Sequence, residues 1–329
     1  MNRLRAFLIA AIAGIALARS CVFRPATDYP GIAFNRDTNA VWLGVEWVNE
    51  PRAPGDVADL VEDLRRHRIR TVFVYTSYMR ADGTFNTTYD HAAGFVHAVH
   101  ALDHTLDVLA WIGLPLDVPR SSGTVDLGDG TTRQRVVALC TELIAEAGFD
   151  GVHLDPEPVP GGDDTVLALL EDVRQSLPPD AMLSIATRRI WPVFPDVPWP
   201  GVGAGFWRSD YYRQIAAHVD QIALMTYDSA LPVAWMYRQW TRYQVITLSR
   251  ALENSTVEIL IGIPTSEEAT RTHRPQAETM ESGLRGTIDG LNDEAARPER
   301  IAGVAIYPYW ETDVDEWRVY DRLWLGREE

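Results

Sequence analysis

From Ala40 onward the chain alternates two hydrophobic rhythms. Short apolar or β-branched runs occur at 40–48 (AVWLGVEWV), 71–79 (TVFVYTSYM), 106–115 (LDVLAWIGLP) and 149–157 (FDGVHLDPE). They continue at 182–188 (MLSIATR), 221–228 (QIALMTYD), 257–264 (VEILIGIP) and 301–310 (IAGVAIYPYW). Between them lie stretches whose apolar residues recur every three or four positions, among them PGDVADLVEDLRRHR, TTRQRVVALCTELIAEAG and DTVLALLEDVRQSL. The first rhythm predicts buried strands and the second amphipathic helices. Gly148 and the LPPD at 177–180 stand where helices should stop.

Eight such strands, each followed by a helix, in about 290 residues match the length and rhythm of a (β/α)8 barrel. The expected fold class is therefore α/β, a single TIM barrel over residues 39–329. A doubly wound open sheet is the competing architecture. It usually needs fewer strands, and no glycine-rich phosphate loop follows the first run.

The first residues, MNRLRAFLIAAIAGIALARSC, have another pattern: Arg3 and Arg5 precede an apolar stretch from Phe7 to Ala18. That is the length of a signal-peptide core and too short for a comfortable membrane span. Residues 1–20 are read as a signal peptide and 21–38 as a linker, which implies export to the cell envelope or beyond. Ala16-Leu17-Ala18 offers a cleavage site, while Cys21 stands where a bacterial lipoprotein carries its lipid, with Arg19 atypical for that motif. Both exits stay open, as does an apolar helix packed on the domain. Any membrane attachment would run through this terminus alone.

Charge and composition narrow the partners. A net charge of −16 argues against nucleic acid and anionic membranes. All 30 basic residues are arginine, which excludes Schiff-base chemistry. Of two cysteines, Cys140 lies on an amphipathic helix pattern and reads as a small buried hydrophobe. With Cys21 lipidated or cleaved nearby, no disulfide is expected. His97, His100 and His104 recur at helical spacing, but on an outer helix, and no HxH or HExxH occurs. No metal and no cofactor are expected, and a monomer is.

In a barrel, polar residues at the C-terminal ends of strands line the active face. Here they are Glu46 and Asn49, Tyr75 and Tyr78, Asp155 and Glu157, Arg188, Tyr227 and Asp228, then Tyr307, Tyr309, Trp310 and Glu311. An acidic, aromatic mouth suits a sugar ring, whose C–H faces stack while acids act on its oxygens. His153, Asp155 and Glu157 fall at alternate positions of the fourth run and so share a face. Two neighbouring carboxylates repel, so at least one pKa should rise toward what a general acid needs. A structural ion pair with Arg188 or Arg189 is the plainer alternative.

The fourth run, FDGVHLDPE, resembles the signature D-x-x-D-x-D-x-E of family 18 glycoside hydrolases, the chitinases and endo-β-N-acetylglucosaminidases. Asp150, Asp155 and Glu157 match it, and His153 stands in place of the middle aspartate. QIALMTYD is similar to that family's sixth-strand M-x-Y-D through Met225, Tyr227 and Asp228. GVAIYPYW is more faintly similar to its last strand, with Tyr307 at the place of a floor tryptophan and Trp310 three residues on. The resemblance implies substrate-assisted, retaining hydrolysis of an N-acetylhexosamine-containing glycan. The substrate's acetamido oxygen would attack the anomeric carbon, with Glu157 as acid and then base. Asp155 would hold the acetamido N–H and Tyr227 its oxygen, with Asp228 beside them. His153, Met225, Tyr307, Trp310, Glu46, Tyr75 and Trp191 are the expected substrate contacts.

Alternatives remain at this point. His153 can donate to Asp155, pin it as a cation, or serve as a hydrogen-bonded core residue. A glycosidase could use two protein carboxylates, Glu157 with Glu46 or Glu267, and a non-catalytic glycan-binding barrel is a third reading. VNEP at 48–51 imitates the Asn-Glu-Pro of another barrel clan, but after the wrong strand. Trp191, Trp199 and Trp207 belong to the long insertion at 188–212 and either stack on sugars or pack the loop. Little more than a helix fits between the last two strands, which implies a shallow or short cleft.

Overall fold

The protein is described by a computed structural model covering residues 31–119, 121–191 and 206–328. Each apolar run forms one strand: β1 Asn39–Leu43, β2 Ile69–Tyr78, β3 Asp107–Pro115, β4 Gly151–Glu157, β5 Met182–Thr187, β6 Gln221–Met225, β7 Glu258–Pro264 and β8 Ile301–Tyr307. They close in sequence order into a barrel of parallel pairs, β8 returning to β1. One principal helix follows each strand: α1 Pro54–Arg66, α2 Ala92–Leu102, α3 Gly130–Ala147, α4 Asp164–Ser176, α5 Ser209–Ala216, α6 Ala234–Ala251, α7 Met280–Leu291 and α8 Val314–Leu323. This is the (β/α)8 barrel, not the open sheet.

Local chemistry sets the element ends. Asp129, Asp163 and Asp313 cap α3, α4 and α8 by accepting from first-turn amides. Gly148 ends α3 at φ 78°, a left-handed value that a side chain would strain. The first run divides: its strand stops at Leu43 and Glu46–Asn49 forms a separate helical turn. Between β7 and β8 the described elements are α7 and a 3-10 turn, Pro298–Arg300.

Residues 31–38 are tied to the N-terminal end of the barrel. Thr38 donates to the Ala302 carbonyl at 2.6 Å and Arg36 to that of Glu299 at 2.9 Å. Trp324, just past α8, donates to Asn39 Oδ1 at 2.8 Å and closes this end. The signal segment and Cys21 lie outside the described residues. Among the described residues no helix is long and apolar enough to cross a membrane.

Valine, leucine and isoleucine fill the layer between strands and helices, with buried Cys140 among them. The barrel lumen is divided by chemistry. On β1 to β3 its side chains are large and apolar: Trp42, Phe73, Leu109 and Trp111. Across β4 to β7 runs a polar row of register partners, His153, Ser184, Gln221 and Glu258. His153 Nδ1 meets Ser184 Oγ at 2.8 Å, Ser184 donates to Gln221 at 3.0 Å, and Gln221 donates to Glu258 at 3.1 Å. Trp42 Nε1 donates to His153 Nε2 at 3.2 Å. An indole nitrogen can only donate, so His153 carries its proton on Nδ1. Burial pushes its pKa down to about 3, and the ring is neutral.

Candidate active site

Side chains alternate along β4, so His153, Asp155 and Glu157 share the inward face at three different depths. His153 is fully buried, Asp155 half-buried, and Glu157 exposed at the strand's end. Phe73 stacks on the His153 imidazole at 3.9 Å, and both ring nitrogens have partners. His153 therefore neither donates to Asp155 nor reaches a substrate; of the three expected roles, it fills that of a hydrogen-bonded core residue. Asp150 is also structural: at the opposite end of the strand it accepts from Val108 N at 2.7 Å and faces His100 Nε2 at 3.0 Å. His97 and His104 are exposed on the outer surface.

Asp155 is held from the neighbouring strand. Trp111 Nε1 donates to its Oδ2 at 3.0 Å, while Oδ1 is buried without any hydrogen-bond partner. Desolvation and the nearby charge of Glu157 push the Asp155 pKa up to about 8, against the opposing hydrogen bond from Trp111. Glu157 is also raised, chiefly by desolvation and then by Asp228, with Arg188 and Arg189 acting against the shift. Neither arginine pairs with it. Arg189 turns to the carbonyl of Tyr227 and lies over the Phe206 ring at 5.9 Å.

Aromatic rings wall this end of the barrel. Tyr227 and Tyr307 stack at 5.1 Å with planes 9° apart. Trp111 and Trp310 meet Tyr307 edge-on, at 6.3 and 5.9 Å, and Tyr75 meets Trp111 at 4.7 Å. The charges of Asp155, Glu157 and Asp228 all bear on both stacked phenols, so the three carboxyl groups and the two rings lie close together at this end of the barrel. Trp310 is 46% exposed at its rim, and Trp235, at the start of α6, is 63% exposed. Sequence reasoning passed over Trp235.

The loop after β6 has a brace that sequence reasoning also missed. Asp228 and Ala230 take left-handed φ values of 56° and 58° without being glycine, a conformation that needs outside support. Glu278 supplies it at Asp228, accepting from Asp228 N and Ser229 N at 2.8 Å each and from the Ser229 hydroxyl at 2.6 Å, while Ala230 N donates to the Thr272 carbonyl at 2.7 Å. His273 in turn faces Glu278 through Nδ1 at 2.8 Å and the Ser266 carbonyl through Nε2 at 2.9 Å. Both nitrogens meet acceptors, which fits an imidazolium beside an ionised Glu278. Asp228, His273 and Glu278 bring metal-capable atoms within 4.8 Å of one another, but the ring nitrogens and the Glu278 oxygens are already engaged in these hydrogen bonds.

Other expected contacts lie differently. Glu46 has left the strand, and its carboxylate folds over Gly44, where a Cβ would come 2.0 Å from Oε2. Glu267 is exposed, its amide donating to Glu311 at 2.9 Å. Neither Glu46 nor Glu267 is among the charges that bear on Glu157, which are Arg188, Asp228 and Arg189. Met225 is half-buried at the end of β6. Trp191 packs edge-on against Phe206 at 5.1 Å, and Trp207 is fully buried, donating to the Val159 carbonyl at 3.1 Å. Trp207 thus packs the loop and cannot stack on sugar. Trp199 lies outside the described residues.

The fold is similar to that of proteins of known structure that are distant in sequence. The chain superposes on the spore cortex-lytic enzyme SleL of Bacillus cereus with a TM-score of 0.58, at 12% identity, covering 87% of this chain and 74% of that one. For a class V chitinase of Pseudomonas fluorescens Pf-5 the TM-score is 0.59, at 13% identity over 88% of this chain and 99% of the other. A family GH18 chitinase from Cycas revoluta, solved with allosamidin, gives 0.56 at 15% identity over 87% and 99%. No curated protein matches in sequence. The family model for glycosyl hydrolases family 18 matches residues 73–321, from β2 through nearly all of α8. With the acidic, aromatic mouth at the end of β4, that match makes the chain a glycosidase and a member of glycoside hydrolase family 18.

Proposed function

We propose that the protein hydrolyses an N-acetylhexosamine-containing glycan by the substrate-assisted, retaining route. Asp155 carries this reading: one oxygen is fixed by Trp111 and the other is buried with no donor. A buried acceptor left empty is unfavourable until a donor arrives, and an acetamido N–H is such a donor. Fixed there, the acetamido group has its carbonyl oxygen free to attack the anomeric carbon.

Glu157 begins protonated, a state its desolvation favours. It gives the proton to the glycosidic oxygen as the C1–O bond breaks and the acetamido oxygen bonds to C1. Asp155 in its ionised form, which its raised pKa of about 8 makes available toward the basic side of neutrality, balances the positive oxazolinium. Ionised Glu157 then takes a proton from water, whose oxygen attacks C1 and reopens the ring with the anomeric configuration retained. Among the described residues the Tyr227 hydroxyl has no hydrogen-bond partner, which suits a contact to the acetamido oxygen, and Asp228 is held beside it. Tyr307, Trp310 and Tyr75 offer faces for the ring. Chitinases among the fold neighbours support N-acetylglucosamine as the sugar. The amino-terminal pattern supports export, by cleavage or through a lipid on Cys21.

The test is hydrolysis of chromogenic N-acetylglucosamine oligomers by wild type and Glu157→Gln, with and without a thiazoline mimic of the oxazolinium ion. Turnover that the mimic inhibits and that the substitution lowers by roughly 10²- to 10⁴-fold is expected. Turnover insensitive to the mimic would point to two protein carboxylates. Binding without turnover in the wild type would make the barrel a lectin.

A further inference from the structure

Among the described residues, every half-buried arginine except Arg188 has a side-chain hydrogen bond or ion pair. Arg188 follows β5 directly, at the barrel's open end, and its backbone carbonyl is fixed by the hydroxyl of Tyr212. Its guanidinium is the cation that bears most on Glu157. Arg189, the next residue, is already spent on the Tyr227 carbonyl.

An arginine in this position has two disadvantages. A partly desolvated guanidinium without a partner is unfavourable in itself. Beside a general acid it also has the wrong sign, because it favours the carboxylate while the first chemical step needs the proton. Both disadvantages disappear when an anion binds. Among the described residues no carboxylate forms an ion pair with it, although the net charge is −16 and Glu157 is close enough to feel its charge. An anion carried by the substrate completes the pair.

We propose that Arg188 binds a carboxylate carried by the glycan itself, on a sugar adjoining the scissile bond. This deepens the proposed glycosidase reading and rests on it. In an N-acetylhexosamine polymer two sources exist, the ether-linked lactyl group of N-acetylmuramic acid and a hexuronic acid neighbour. Docking of either neutralises Arg188, so Glu157 retains its proton to higher pH: the acidic glycan strengthens its own general acid. The groups that face Glu157 in this balance are Arg188, Arg189 and Asp228, with Asp155 below it on β4 and the phenols of Tyr227 and Tyr307 opposite.

The experiment uses the full chain as wild type, Arg188→Gln and Arg188→Lys. The probes are peptide-free N-acetylglucosamine–N-acetylmuramic acid oligomers, N-acetylglucosamine–glucuronic acid oligomers, the methyl ester of each, and neutral N-acetylglucosamine oligomers. Wild type should show a KM about tenfold lower for one acid than for its ester. Arg188→Gln should abolish that ratio, Arg188→Lys should restore part of it, and the basic limb of kcat/KM on the neutral oligomer should move upward in Arg188→Gln. Whichever acid shows the ratio identifies the source. Equal KM for acid and ester in wild type, or a ratio unchanged in Arg188→Gln, overturns the proposal while leaving the glycosidase reading intact. If no glycan is cleaved, that reading falls, and calorimetric binding of acid against ester to wild type and Arg188→Gln still decides the role of Arg188.

Discussion

Trp111 holds Asp155 across the β3–β4 pair: its indole Nε1 donates to Oδ2 at 3.0 Å, although the register pairs Trp111 with His153 and Asp155 with Gly113. The indole reaches one pleat up the barrel to make this bond. It opposes desolvation and the charge of Glu157, both of which drive Asp155 toward its protonated form. Trp111→Phe keeps a ring and removes the donor. The Asp155 pKa should rise further, and the acidic limb of kcat/KM should move to higher pH. A hydrogen bond to a charged group is worth about 1.5–3 kcal/mol, so kcat/KM should fall about 10- to 100-fold. An unshifted pH profile would show that Trp111 only fills space.

Burial of Asp155 also has a signed consequence for stability. Its folded-state pKa lies above the ordinary carboxylate value near 4, so the folded chain holds a proton that the unfolded chain releases. Stability therefore falls as pH rises from about 4 toward the raised value. Asp155→Asn removes that loss while keeping an acceptor for Trp111. The variant should melt above wild type at pH 7 to 8, by roughly 2 °C for each kcal/mol relieved, with the gain vanishing near pH 4. Its activity should fall at the same time. Calorimetry at the two pH values checks the sign, and a variant less stable at both would contradict it.

The barrel was legible because the two hydrophobic periods persist through the whole chain, and most strands begin and end within two residues of the runs. The first run failed for a physical reason: Val45 and Val48 continue its apolar character while carrying helical spacing. Period-2 reading placed His153, Asp155 and Glu157 on one face but says nothing of depth, and depth separates a buried imidazole from a reachable acid. The partners of Asp155 and Asp228 were hidden because they lie 44 and 50 residues away in sequence. A tryptophan inside an apolar strand is the one signal that was present, since a buried indole N–H usually finds an acceptor. His273 and Glu278 sit in a stretch without periodicity. Trp207 was ambiguous from composition alone, and only its buried hydrogen bond assigns it to packing.

At His153 the fourth-strand resemblance expects an aspartate, and the lumen explains why one would not simply take its place. The site is fully buried, with Phe73 stacked on the ring and Trp42 and Ser184 on its two nitrogens. His153→Asp would replace a neutral, packed ring with a shorter acid that leaves a gap and faces desolvation. Destabilisation of about 3–5 kcal/mol is expected, without a gain in kcat. Urea melts and rates measured side by side check this. A faster, equally stable variant would show that the polar row from β4 to β7 is dispensable.

The brace behind Asp228 yields the last prediction. Burial alone would lower the His273 pKa, but its hydrogen bonds to Glu278 and the Ser266 carbonyl outweigh that, and the net shift is upward. A histidine with a raised folded-state pKa contributes stability that is complete below the ordinary value of about 6.5 and is lost as pH rises through the folded value. Wild type should therefore lose melting temperature in mildly alkaline solution faster than His273→Gln, whose side chain has no such titration. Glu278→Gln should cost more than His273→Gln, because it weakens the acceptor that holds the left-handed Asp228 and its neighbour Ser229 in place. If the loop after β6 positions Tyr227 and Asp228 for the reaction, kcat should fall in Glu278→Gln by about tenfold, as expected for a displacement behind the reacting groups. A full melting profile and kcat in both variants check the chain of dependence, and a Glu278→Gln protein with intact kcat would leave the brace a matter of stability alone.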